Sequence, residues 1–129
     1  MPDPAPDALS RAEWKVMKIV WRRGRVAARD VVAEAASAHD WRPSTIKTLL
    51  KRLVDKGHLE ATRVGNSFLY EPVEEPLPAL QRAGDTLLDH AVEGLAGPLL
   101  VHLVKKSRLS AEELAELRAL LDAKKGRGR

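Results

Sequence analysis

Hydrophobic and polar positions repeat with a helical period along most of this 129-residue chain. The clearest stretch is Pro43 to Gly57, PSTIKTLLKRLVDKG, where Ile46, Leu49, Leu50 and Leu53 fall at i, i+3, i+4 and i+7 and predict one buried stripe. Pro43 stands where a helix-opening proline loses nothing by lacking an N–H, and Gly57 where a helix closes. Upstream, Ser10-Arg11-Ala12-Glu13 reads as a capping box. The helix it opens, to about Arg23, places Trp14, Met17, Val20 and Trp21 on one face, and that face is expected to be core rather than a stacking platform for bases. Gly24 ends this helix, and a second is expected from Val26 to Ala38 with Val31, Val32 and Ala35 apolar. The polar segment Ser37 to Arg42 leads into the third.

After Gly57 the period changes. His58 to Val64 and Ser67 to Val73 are rich in β-branched and aromatic residues, with Gly65-Asn66 between them, the pattern of a hairpin. Three helices followed by a hairpin predict a winged helix-turn-helix over residues 10–73, mainly α with a small β-hairpin wing. Residues 1–9, with three prolines and two aspartates, are expected to be a flexible tail. Glu74 to Pro78 reads as a proline-containing joint. Beyond it Leu80, Leu87, Leu88, Ala91, Val92 and Leu95 form an apolar stripe, Gly97-Pro98 interrupts it, and Leu99, Leu100, Leu103 and Val104 resume. Ser110 to Glu113 is a second capping box, opening a last helix with Leu114, Leu117, Leu120 and Leu121 inward. Three short leucine-rich helices have little to bury against within one chain, so residues 74–124 are expected to form a helical homodimerisation region. Residues 125–129 are expected to be a solvated basic tail.

Charge changes the picture of the third helix. Between Arg11 and Arg63 there are 13 Lys/Arg against 6 Asp/Glu, whereas Glu74 to Arg129 carries 9 of each, so the basic balance sits in the first half. On the outer face of Pro43–Gly57 stand Ser44, Thr45, Lys47, Thr48, Lys51 and Arg52, with no carboxylate before Asp55. A solvated helix face ordinarily mixes Glu with Lys, because opposite charges at i, i+4 support each other. Hydroxyls and cations without carboxylates suit a polyanion, since Lys and Arg neutralise phosphates or donate to guanine while Ser and Thr reach phosphate oxygens or base edges. The stretch therefore reads as a recognition helix for double-stranded DNA. Arg63 and Asn66 fall at the expected wing tip, within reach of a phosphate or the minor groove.

Other chemistry finds little support. The chain has no cysteine, which excludes disulfides and thiolate sites. His39, His58, His90 and His102 show no i, i+4 metal spacing, and no phosphate loop or nucleophile motif is present, so neither metal, cofactor nor catalytic residue is expected. Asp85 and Asp89 at i, i+4 read as a solvated helix face. MPDPAPDA lacks the pattern of a secretory signal and no stretch is apolar enough to span a membrane, so a cytoplasmic protein without membrane insertion is expected.

Taken together, AEWKVMKIVW at 12–21, PSTIKTLLKRLVDKGHL at 43–59 and SFLYEPV at 67–73 resemble the penicillinase repressor family of bacterial transcription regulators (BlaI/MecI type, with the copper-responsive CopY branch). The resemblance extends over about residues 9–124. It implies a homodimer that represses transcription on a palindromic operator, with DNA contacts falling on Ser44, Thr45, Lys47, Thr48, Lys51 and Arg52. In the β-lactam branch a membrane-bound sensor metalloprotease system leads to cleavage of the repressor in its dimerisation helices. The matching bond here is His102–Leu103, where that branch carries Asn-Phe. The copper branch uses paired cysteines, which this chain lacks. Two other readings stay open at the level of sequence: a winged-helix module that docks an acidic protein, and a repressor released by a small ligand.

Overall fold

A computed structural model of the chain describes residues 8–127, with Arg127 as backbone only. The expected N-terminal tail thus lies outside the described residues up to Asp7, as do Gly128 and Arg129 of the basic tail. Leu9, assigned above to the tail, packs against the core, and the Ala8 carbonyl accepts a hydrogen bond from Lys56 Nζ at 3.0 Å.

The elements run α1 (Arg11–Arg23), β1 (Val26–Ala27), α2 (Ala28–His39), α3 (Pro43–Asp55), β2 (Leu59–Val64), β3 (Ser67–Pro72), α4 (Pro76–Asp89), α5 (Ala96–Lys106) and α6 (Ala111–Arg127). Ser10 caps α1 as expected: its hydroxyl accepts from the Glu13 amide at 3.2 Å, and the Glu13 carboxylate accepts from the Ser10 amide at 2.7 Å. Between α2 and α3 the chain turns through Asp40, a left-handed residue with φ 55°. Contacts divide the chain between Thr86 and Leu87 into two units.

The first unit holds the core. Val16, Met17, Ile19 and Val20 of α1 meet Val31 and Ala35 of α2, the α3 stripe Ile46, Leu49, Leu50 and Leu53, and Val26 and Leu59 from the sheet. Each buried Leu or Ile removes roughly 1.5–3 kcal/mol worth of apolar surface from water. Trp21, Val32, Trp41 and Tyr70 close the edges of this cluster. Trp14 does not belong to it. Its ring is half-buried and lies 5.8 Å from that of Trp21, because both tryptophans stand at the margin of a stripe whose centre is Val16 and Val20.

The sheet departs from the expected hairpin by one strand. Its order is β1-β3-β2, all antiparallel, with Val26 opposite Tyr70 and Val64 opposite Ser67. Val26 and Ala27 therefore belong to a strand and not to the second helix, which begins at Ala28. The β2–β3 turn places Gly65 at φ 62° in its first central position while Asn66 keeps a negative φ, the requirement of a type II′ hairpin turn.

The helices after the wing also differ from their expected bounds. The proline-containing joint is shorter, since Pro76 and Pro78 lie in the first turn of α4, where their missing N–H groups cost nothing. The interruption of the apolar stripe falls at residues 90–95, and Gly97-Pro98 lies inside the first turn of α5. α6 opens with the expected capping box, Ser110 and Glu113 bonding reciprocally at 2.9 and 3.0 Å, and stays helical through residues 125–127. Leu114, Leu120 and Leu121 do not point inward within the single chain; Leu121 is 63% exposed. α5 buries no residue at all. Among the described residues no helix is long and apolar enough to cross a membrane.

Candidate nucleic-acid interface

α3 is held by its buried stripe, and that stripe decides what its other side presents. Ile46, Leu50 and Leu53 are almost wholly buried and Leu49 nearly so, which leaves Ser44, Thr45, Lys47, Thr48, Lys51 and Arg52 all exposed. The residues expected at the interface are thus brought together on one helix. Its first turn holds no acidic residue and no side chain caps it. The Thr45 and Ile46 amides share the Arg42 carbonyl at 3.0 and 3.2 Å, and Pro43 has no N–H, so the positive end of the helix faces outward without a built-in anion.

Individual side chains differ in how free they are. Thr48 Oγ1 donates to the Ser44 carbonyl at 2.9 Å, which leaves its lone pairs to accept and its methyl to meet a thymine methyl. Lys51 Nζ lies 3.3 Å from Asp55 Oδ2, an exposed i, i+4 pair of the kind that contributes about 0.3–0.5 kcal/mol and yields readily to a phosphate. Arg42, Lys47 and Arg52 form no ion pair among the described residues. Elsewhere part of the basic excess is already matched: Arg22 and Arg23 share Glu34 at 2.6 and 2.8 Å, and Arg25 meets Glu71 at 3.2 Å. These pairs leave the net surplus of the first half almost unchanged but localise it, and among the described residues the cations without an ion pair include Arg42, Lys47 and Arg52.

At the wing, Asn66 occupies the second turn position and Arg63 Nε donates to the Gly65 carbonyl at 3.1 Å, a bond that holds the guanidinium beside the hairpin tip. Both are exposed. His102 and Leu103 lie in α5, in the other unit, and are exposed there.

Two supports of α3 escaped the sequence. Lys56, its C-cap residue, bonds the Glu13 carboxylate at 2.7 Å, and Glu13 is only 1% exposed. Burial pushes the Glu13 carboxyl up, but hydrogen bonds from Lys56 and Ser10 outweigh it and hold the group below the usual carboxylate range. At the opposite end, Trp41 packs on the core with Lys15 Nζ 5.8 Å above its ring and His39 at 4.6 Å between ring centroids. Arg42, the N-cap residue of α3, is exposed beside this face and was not among the residues expected there. Among the described residues no three His, Cys, Asp or Glu side chains are grouped to hold a metal.

Comparison with known proteins gives a consistent likeness. The family model described as Penicillinase repressor matches residues 9–123. An uncharacterized 16.5 kDa protein of Latilactobacillus sakei is 36% identical over 116 residues, which span 90% of this chain and 80% of that protein. The methicillin resistance regulatory protein MecI of Mammaliicoccus sciuri is 31% identical over 116 residues, 90% of this chain and 94% of its own. Among solved structures, the solution structure of the DNA-binding domain of the repressor BlaI aligns with a TM-score of 0.52 at 33% identity, covering 58% of this chain and 90% of that one.

Proposed function

The chain belongs to the penicillinase repressor family, one of DNA-binding transcriptional repressors and not of enzymes, and we propose that it represses transcription by holding a palindromic operator as a homodimer. The observation that carries this reading is the exposed face of α3, where Ser44, Thr45, Lys47, Thr48, Lys51 and Arg52 meet solvent with a single carboxylate at its far end. Entering a major groove, that face offers hydroxyls and cations to base edges near its N-terminal half and cations to phosphates along its length. Arg63 and Asn66 add a contact from the wing. The aliphatic side chains left in water by α5 and α6 support the homodimer, because a monomer rarely leaves so many large aliphatic residues of neighbouring helices exposed.

Release from the operator then goes through the dimer. Two half-sites gripped by one linked dimer gain affinity through effective concentration, and separated monomers lose it. Scission of His102–Leu103, under a membrane-bound sensor metalloprotease system, would detach Leu103, Val104 and all of α6 from the interface. The bond sits mid-helix, so a protease must first open α5.

The test uses an operator recovered by selection from random duplex DNA. Lys47→Ala and Thr48→Ala are each expected to weaken binding by about 1–3 kcal/mol, with the Thr48 loss depending on the base at its position. Unchanged affinity in both variants would remove α3 from the interface.

A further inference from the structure

The wing reaches past the core that it covers. Directly opposite pairs alternate between the two faces of β2 and β3, and Leu59 with Pro72, Ala61 with Tyr70 and Arg63 with Phe68 share one face. Leu59 is buried and Tyr70 packs against the core, so that face is the core side of the hairpin. Beyond Tyr70 the core ends, and Phe68 is 43% exposed. Val64, opposite Ser67, is exposed on the other face.

An arginine opposite a phenylalanine can cover it, the guanidinium lying over the ring within about 6 Å of its centre. Arg63 does otherwise. Its Nε donates to the Gly65 carbonyl at 3.1 Å, so the guanidinium is held at the tip, and among the described residues no cation lies over the Phe68 ring. Among those residues Arg63 forms no ion pair either. From Thr62 to Leu69 the hairpin carries this one cation and no carboxylate. Its end thus offers a bare ring and an unpaired guanidinium together.

The surface that complements both is the minor groove of duplex DNA. Its walls are the C–H edges of deoxyribose between two rows of phosphate, and where A·T pairs narrow it, its negative potential draws arginine in. Proteins that bind there also set apolar side chains against its base steps. β2 has six residues and carries the tip about 17 Å from Leu59, close to half of a helical turn of about 34 Å and so to the step from a major groove to the next minor one.

We propose that Phe68 is the apolar DNA contact of the wing: its ring packs on the sugar wall of the minor groove beside each half-site while Arg63 enters the groove, so that the wing selects A·T pairs at positions α3 does not touch. This rests on the operator reading above.

The experiment keeps the selected half-sites and their spacing and replaces the neighbouring base pairs on either side with runs of A·T or of G·C. The full chain is expected to bind the A·T-flanked duplex roughly tenfold more tightly than the G·C-flanked one. Phe68→Thr keeps a strand-forming residue and loses the ring; it is expected to bring the two duplexes within about twofold, mainly by weakening the A·T complex, at an unchanged salt slope. Arg63→Ala is expected to lose the same preference and to lower the slope of log K on log salt by about 0.9 for each wing. Phe68→Leu is expected to keep part of the preference, and Val64→Ala, exposed on the other face, all of it. Thermal melts establish that each variant is folded; should Phe68→Thr fail to fold, Phe68→Ala carries the same expectations. A parent indifferent to the flanks, a folded Phe68 variant that keeps the parent's preference or weakens both duplexes equally, or loss of the preference in Val64→Ala would overturn the proposal and leave the operator reading intact. A parent chain that binds the selected operator no more tightly than a scrambled duplex would overturn both.

Discussion

Glu13 shows what a single residue contributes here and how far it can be read in advance. Its capping bond to Ser10 is legible because donor and acceptor lie three positions apart. Its second role is not, since Lys56 is 43 residues away and reaches it only once α1 and α3 have packed. Because the folded carboxyl is held below its unfolded value of about 4.3, its stabilising contribution is present above that pH and is lost as the pH falls through the folded value. Glu13→Gln is therefore expected to cost about 1–3 kcal/mol at neutral pH and to flatten the fall of the melting temperature between about pH 5 and pH 3. Thermal melts across that range check it; parallel curves for parent and variant would exclude the ion pair as a stabilising element. Trp14 marks the opposite case. Its period matched the core stripe, but its ring stands at the edge of that stripe, half-buried against Trp21 and outside the core cluster.

At the level of elements, α3 was legible almost to its ends because stripe, N1 proline and terminal glycine all point to the same helix. Its C-terminus closes through the His58 amide on the Leu53 carbonyl at 2.8 Å and the Gly57 amide on the Val54 carbonyl at 3.0 Å. That closure needs Gly57 at φ 87°, in open surroundings, so a side chain there would be penalised by conformation alone. Gly57→Ala is expected to destabilise by roughly 1–2 kcal/mol and Gly57→Asn by less, as read by denaturant midpoints. Equal stability of all three would show that the turn is not constrained. β1 was missed for a physical reason. Two residues carry no periodicity, and Val26 becomes a strand only by meeting Tyr70, far along the chain. The first-turn prolines of α4 misled in a similar way: Pro76 and Pro78 read as a joint, yet helix starts tolerate them.

For the molecule as a whole, the sequence shows a charge asymmetry followed by leucines that the single chain leaves without a core to bury them. The aliphatic side chains of α5 and α6 stay in water, Val101 at 55% and Leu103 at 44% exposure, which is the state expected of half an interface. A chain ending at His102 is expected to keep the winged unit folded, to sediment as a monomer and to bind operator weakly. A tight dimer of residues 1–102 would contradict release by cleavage at that bond. How the wing is joined to α4 was not legible, since the bonds of Trp21 and Arg82 to Glu74 depend on three elements meeting.

The most direct measurement is a fluorescence-anisotropy titration of the full chain on the selected operator and on a scrambled duplex, over a series of salt concentrations. Lys47, Lys51, Arg52 and Arg63 in each of two protomers would neutralise about eight phosphates, for a slope of log K on log salt of about −7. The expected result is that steep slope together with a strong preference for operator. Binding that is indifferent to sequence, or a slope near zero on folded dimer, would contradict operator recognition by α3 and turn attention to an acidic protein partner.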